Sequence, residues 1–120
     1  MRDETEEKIL DVALKIFAKE GYVGAPIWKI AEESGFSEKT IFRRFGTKKN
    51  LFDTVLTRKT ELYHEDVQAK VIVDEAFGNP AEFIEHYVKN LARVNWDHFE
   101  YFSLAVNYPN EVIELGWMRC

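Results

Sequence analysis

Apolar residues recur every three or four positions along most of the chain, and this spacing predicts an all-α protein. The first such stripe predicts a helix from about Thr5 to Lys19, with Asp3 or Thr5 as its N-cap and Gly21 ending it. Its apolar face comprises Ile9, Leu10, Ala13, Ile16 and Phe17. We expect this helix to close a three-helix core over the segments that follow.

Two short helices are predicted to meet at a tight turn around Gly35. The first runs from Trp28 to Ser34, Gly35 supplies the backbone freedom of the turn, and Phe36 plugs the corner. Ser37 is a good N-cap for a second helix from Glu38 to Phe45. Three of its apolar residues share a face that must pack, namely Ile41, Phe42 and Phe45. The residues left to point outward are Glu38, Lys39, Thr40, Arg43 and Arg44, and a short helix of this kind fits a DNA major groove.

The rest of the chain also reads as helical. Thr47 can cap a fourth helix, which is predicted to be long because no Gly or Pro appears before Gly78. The run Asn79-Pro80-Ala81-Glu82 is a strong helix start. Asp97 is predicted to cap another helix, and the run Tyr108-Pro109-Asn110 to separate it from a last one. The apolar residues at helical spacing after Pro80 begin with Phe83, Ile84, Tyr87, Val88, Leu91 and Ala92.

The distribution of charge favours a polyanionic partner for the first half. The net charge is −5, but residues 1–60 hold twelve Lys or Arg against ten Asp or Glu, whereas residues 61–120 hold four against eleven. Within residues 36–60 the count is seven basic against two acidic. A basic patch on an acidic protein is an electrostatic footprint for phosphate, although most charge runs only form a solvated helix face.

The segment from Gly21 to Leu56 resembles the DNA-binding region of the tetracycline-repressor (TetR) family of bacterial transcription regulators. The resemblance covers roughly residues 8 to 56. The matching positions are Gly21, Tyr22, Ile30, Ala31, Gly35, Phe36, Ser37, Thr40, Ile41, Phe42, Phe45, Lys48, Leu51 and Phe52. The chain departs from the family pattern at two sites. Ala25-Pro26 stands where a Ser or Thr often contacts phosphate, and Arg44 stands where His or Tyr is frequent. Arg binds phosphate at least as well as either.

The helix-turn-helix interpretation predicts a role for each outward residue of the motif. For base contacts we expect Lys39, Thr40 and Arg43, with Phe42 mainly packed but touching a thymine methyl. The expected phosphate contacts are Ser37, Arg44 and Lys48, with Trp28 and Lys29 as weaker candidates. The domain boundary is predicted at residue 47: residues 1–47 form the DNA-binding domain, and residues 48–120 form part of a helical regulatory domain that includes the linking helix.

The resemblance implies that the second half binds a small molecule and that two subunits pair. Family members are considerably longer, so the pairing helices are expected to be missing from this sequence. Aromatic residues are the candidates for a hydrophobic pocket, with core packing as the alternative. They are Phe83, Tyr87, Trp96, Phe99, Tyr101, Phe102, Tyr108 and Trp117.

Other classes of function find little support in the sequence. It contains no G-x-S-x-G, Walker or dinucleotide motif, so we expect neither an enzyme nor a cofactor. Glu82 and His86 lie four residues apart, but a surface pair explains them better than a metal site, and no metal is expected. No stretch of about 18 apolar residues predicts a membrane span. The start of the chain does not read as a signal peptide, and the single cysteine, Cys120, fits a reducing compartment.

The sequence therefore predicts a cytoplasmic, nucleoid-associated homodimer that binds a palindromic operator in double-stranded DNA. It is expected to repress transcription and to be released by a small hydrophobic effector. The alternative is a helical interaction module whose basic patch binds an acidic partner rather than DNA.

Overall fold

The computed structural model describes residues 3–71 and 77–115, and within them the chain forms seven α-helices and no strand. This confirms the all-α prediction. The helices are α1 (Glu4–Gly24), α2 (Ile27–Ser34), α3 (Glu38–Phe45), α4 (Lys48–Lys70), α5 (Pro80–Asp97), α6 (Phe99–Asn107) and α7 (Pro109–Leu115). None of these helices is both long enough and apolar enough to cross a membrane.

Most of these helices begin at the N-cap residues that the sequence predicts. The side chains of Asp3, Ser37, Thr47 and Asn79 each accept a hydrogen bond from a backbone N–H in the first turn of the helix that follows. Each bond satisfies a donor that the helix itself leaves unpaired. At the start of α5 the Glu82 carboxylate also accepts a bond from the Gly78 N–H at 2.8 Å.

Several predicted boundaries differ from the structure. Only Tyr108 of the run Tyr108-Pro109-Asn110 separates α6 from α7, because α7 already begins at Pro109. Asp97 does not cap α6; it is the last residue of α5, because the His98 N–H still donates to the Val94 carbonyl at 3.0 Å. His98 stands before α6 without a side-chain cap. Gly21 does interrupt α1, with φ at 78°, but helical structure extends beyond the interruption to Gly24.

One apolar core joins both halves of the sequence. Its buried residues include Phe17 of α1, Ile30 of α2, Ile41 of α3 and Leu51 of α4, and Leu104 of α6 and Val112 of α7 complete it. A smaller cluster forms around Tyr63, Val71, Val94 and Tyr101. The core therefore includes residues on both sides of position 47, and the division into two domains there stays a prediction.

Ion pairs fasten α4 to α1 on the side of this core. Arg58 pairs with Glu7 and, at 3.6 Å, with Glu6. Lys59 is only 7% exposed and pairs with Asp11. These pairs with α1 neutralise two of the seven basic residues in segment 36–60, so the basic surface is smaller than the sequence count suggests.

Candidate nucleic-acid interface

The turn between α2 and α3 is fixed by backbone geometry. Gly35 has φ at 82°, a conformation that favours glycine, and its N–H donates to the Ala31 carbonyl at 3.0 Å. The Phe36 N–H donates to the same carbonyl at 3.1 Å. Phe36 packs at the edge of the core, as expected for a residue that fills the corner. These bonds and this packing fix the orientation of α3 relative to α2.

Helix α3 is held by its caps and by two buried side chains. The Ser37 Oγ accepts a bond from the Thr40 N–H at 3.1 Å, and Ile41 and Phe45 are almost fully buried. At the other end, the Asn50 side chain donates to the Phe45 carbonyl at 2.7 Å, while its own N–H donates to Thr47 Oγ1 at 3.0 Å. Asn50 thereby ties the end of α3 to the start of α4.

The outward face of α3 presents two basic side chains that the fold leaves available. Within residues 3–71 and 77–115, Lys39 and Arg43 are exposed and form no ion pair. Thr40 is half-buried, and its hydroxyl lies 3.0 Å from the Ser37 Oγ. Phe42 was expected on the packed face, yet its side chain is 42% exposed beside these residues. It lies one position past Ile41, at the border of the buried face.

Several of the predicted phosphate contacts are already engaged within the fold. Arg44 Nη1 pairs with Asp3 Oδ2 at 2.6 Å, and Lys29 pairs with Glu20 at 3.1 Å. Lys48, at the start of α4, has its ammonium 4.9 Å from the centre of the Tyr22 ring, within the range of a cation–π contact. Trp28 is exposed at the start of α2, where Pro26 provides no side-chain cap.

Lys49 is not available in the same way as Lys48. Its ammonium binds both carboxylate oxygens of Asp53, at 2.8 and 3.0 Å. That hydrogen bond raises the pKa of Lys49. The structure thus separates two adjacent lysines that the sequence does not distinguish: Lys49 is paired along its own helix, and Lys48 lies over the Tyr22 ring.

The aromatic residues predicted to line a pocket do not surround a common cavity in the described part of the chain. Phe83, Tyr87, Trp96, Phe99 and Phe102 are exposed, with Trp96 the most exposed at 76%. Tyr101 is buried in the smaller cluster, and Tyr108 packs against the main core. Trp117 lies outside the described residues. A groove of about 230 Å³ includes Tyr108, together with Tyr22, Lys49, Phe52 and Glu111. The pocket stays a prediction.

Three contacts that position the motif were not predicted from the sequence. Asn50 joins α3 to α4, Asp3 holds Arg44, and the Tyr108 hydroxyl accepts a bond from the Tyr22 N–H at 2.8 Å. Only Asn50 left a local signal, since it stands three residues after the cap Thr47. The other two contacts span 41 and 86 residues.

Comparison with known proteins identifies the family of this fold. Residues 9–55 match the family model described as bacterial regulatory proteins, tetR family. The chain is 31% identical over 97 residues to the transcriptional repressor NicS of Pseudomonas putida, and this alignment covers 81% of this chain and 42% of that protein. It is 30% identical over 113 residues to a transcriptional repressor of Mycobacterium tuberculosis, covering 91% and 56%. The chain thus spans about half the length of these curated relatives.

Solved structures share the same arrangement of helices. A TetR-like transcriptional regulator from a Rhodococcus species superposes with a TM-score of 0.78 at 18% identity, covering 99% of this chain and 65% of that one. The fatty acid degradation regulator FadR from Bacillus halodurans gives 0.66 at 23% identity, covering 96% and 58%. The matched family consists of regulatory proteins, which is consistent with the expectation that the chain is not an enzyme. By its sequence match and its fold, the chain belongs to the TetR family of bacterial transcriptional regulators.

Proposed function

We propose that this protein binds an operator in double-stranded DNA and represses transcription, and that a small hydrophobic ligand releases it. The observation that carries the proposal is the capped and packed α3, whose outward face presents Lys39 and Arg43 without an ion-pair partner among residues 3–71 and 77–115. Side chains with free donors on a capped, short helix suit base edges in the major groove. This role places the protein in the cytoplasm, at the nucleoid.

Base contacts and phosphate contacts divide between different sides of the motif. Lys39, Thr40 and Arg43 face the groove, and exposed Phe42 adds an apolar surface for a thymine methyl. Lys48 and Arg44 bind backbone phosphate, with weaker contacts from Ser37, Trp28 and Lys29. The Ser37 Oγ accepts the cap bond, and when the Thr40 hydroxyl donates to it as well, the Ser37 hydroxyl hydrogen remains for a phosphate oxygen.

Two copies acting together give the specificity that one α3 lacks. A single recognition helix reads only a few base pairs, so useful discrimination needs two half-sites about one helical turn apart. We therefore include a homodimer and a palindromic operator in the proposal. The relatives named as repressors support this direction of regulation.

Release by a ligand requires a connection between the second half and the reading helices. Two hydrogen bonds supply this connection: the Tyr22 N–H donates to the Tyr108 hydroxyl, and the Thr60 hydroxyl donates to the Tyr101 hydroxyl at 2.9 Å. The burial of Leu104 and Val112 in the common core adds to it. A ligand that binds better to a state with α6 and α7 in another position would also favour a new position of α1 and α4. The ligand can shift the equilibrium between the two states by no more than its difference in binding free energy for them. The predicted pocket rings on α5 and α6 are its proposed site.

The central experiment measures DNA affinity and selectivity with a charge-matched control. A duplex selected from a random palindromic library is compared with its scrambled version by fluorescence anisotropy at two salt concentrations. We expect Lys39→Ala combined with Arg43→Ala to abolish most of the preference for the selected duplex. Lys70→Ala combined with Lys89→Ala removes the same charge from exposed positions on α4 and α5, and should leave the preference intact.

The outcomes distinguish the proposal from its alternative. Equal losses in both double variants would mean that only net charge matters and that α3 does not read bases. If the wild-type protein binds no duplex even at low salt, the alternative is supported: the chain is an interaction module whose basic patch binds an acidic protein.

A further inference from the structure

One phosphate candidate is held by a residue from the other end of the DNA-binding region. The Asp3 carboxylate, at the N-cap of α1, accepts a bond from the Thr5 N–H through Oδ1 at 2.9 Å. Its Oδ2 accepts a bond from Arg44 Nη1 at 2.6 Å. The cap fixes this carboxylate on α1, so it cannot follow the guanidinium if Arg44 moves toward DNA.

We propose that Asp3 is a positioning residue that competes with the DNA backbone for Arg44, holding the guanidinium in the free protein and yielding it to phosphate on binding. The inference rests on the proposed function. Arg44 has only one guanidinium to offer, and a carboxylate and a phosphate seek the same fork of donors. Asp3 therefore weakens binding to all DNA sequences and limits non-specific retention.

The strength of the pair suits such an exchange. Both side chains are partly exposed, at 34% for Arg44 and 47% for Asp3. An exposed ion pair is weak enough for a phosphate to displace it. The bond to Arg44 also lowers the pKa of Asp3 below its ordinary value, so the carboxylate stays charged at neutral pH. Arg44 differs in this respect from Arg43, its neighbour, which forms no ion pair within the described residues.

The test removes the charge and keeps the cap. Asparagine accepts the same N-cap bond as aspartate, so Asp3→Asn preserves the start of α1. We expect Asp3→Asn to bind selected and scrambled duplexes about twofold to fivefold more tightly, the range of an exposed ion pair. The dependence of affinity on salt should steepen by about one contact per subunit. Glu4→Gln removes the same charge one residue away, from an exposed side chain with no ion pair within the described residues, and should change both quantities less.

A double-mutant cycle shows whether Asp3 acts through Arg44. In the Arg44→Gln background we expect Asp3→Asn to produce no gain. A gain of the same size there would mean that Asp3 only repels phosphate, and weaker binding by Asp3→Asn alone would mean that it orients Arg44 for DNA; either result overturns the inference.

The pair between Asp3 and Arg44 can be tested in the free protein, without DNA. NMR titration of the free protein should show the pKa of Asp3 rising toward its ordinary value in Arg44→Gln, and an unchanged pKa would show that the pair is absent in solution. Normal DNA binding by the wild type with no effect of Asp3→Asn defeats this inference alone. Failure of the wild type to bind any duplex defeats the proposed function and the inference together.

Discussion

At the scale of single residues, similar side chains in the motif have different surroundings and so different roles. Arg43 is exposed and unpaired in the described part of the chain, Arg44 is paired to Asp3, and Lys48 lies over the Tyr22 ring. The sequence places all three on one basic segment and predicts that they face outward. It cannot predict their partners, because Asp3 and Tyr22 belong to another helix and meet them only once the core has formed.

Arg43 and Lys48 should differ in what they contribute to DNA binding. If Arg43 forks onto a guanine, Arg43→Ala should cost about 1–3 kcal/mol on the cognate duplex and relax discrimination at one base pair. Lys48→Ala should weaken all sequences about equally and lower the salt slope by roughly one contact per subunit. Affinity against the logarithm of salt concentration, on cognate and scrambled duplexes, measures both. An equal loss from Arg43→Ala on every sequence would make Arg43 another phosphate clamp.

At the scale of the helices, the sequence predicts well where the governing interactions are local. Ser37, Thr47 and Asn79 cap the helices they were expected to cap, because each bond joins residues three positions apart. Asp97 shows the limit of this reasoning. It has the right chemistry for a cap, but the bond from His98 to Val94 carries α5 through it, and α6 begins without a capping side chain.

The cap of α3 provides a test that separates helix stability from DNA contact. Ser37→Ala removes the acceptor for the Thr40 N–H and should lower the free energy of unfolding by about 1 kcal/mol. Ser37→Asp keeps a capping oxygen and should retain the stability, yet it places a negative charge beside the DNA backbone and should weaken binding severalfold. Urea unfolding and anisotropy titration measure the two effects. If Ser37→Asp binds DNA as well as the wild type, Ser37 lies away from the phosphates.

At the scale of the whole molecule, the two halves share a core that periodicity alone does not reveal. The stripes on α6 and α7 predict that these helices bury a face, but not that Leu104 and Val112 pack with the DNA-reading helices. The ion pairs of Arg58 and Lys59 with α1 likewise depend on the fold, and they reduce the basic surface deduced from composition. Charge totals along a sequence therefore overstate the patch that remains for DNA.

The hydroxyl of Tyr108 should contribute to the joint between the halves. Tyr108→Phe keeps the ring, 5.1 Å from the Phe52 ring, but leaves the half-buried Tyr22 N–H without its acceptor. We expect the free energy of unfolding to fall by about 1 kcal/mol. Tyr87→Phe is the matched control, because its hydroxyl is removed from an exposed ring on α5. Urea unfolding compares the two variants, and equal stabilities would show that the bond to Tyr22 is not maintained in solution.

A palindromic duplex should assemble two copies of the protein. If two copies read a palindrome, two chains should bind one duplex cooperatively, and a duplex with a single half-site should bind far more weakly. Inserting five base pairs between the half-sites turns one of them to the opposite side of the helix and should remove most of the gain, since half-sites must lie about one helical turn or a multiple of it apart. Inserting ten base pairs returns them to one side and serves as the control for added length. Sedimentation of the protein with each duplex gives the stoichiometry, and titration gives the affinity. A single chain that binds the isolated half-site as tightly as the palindrome would show that recognition does not depend on a dimer.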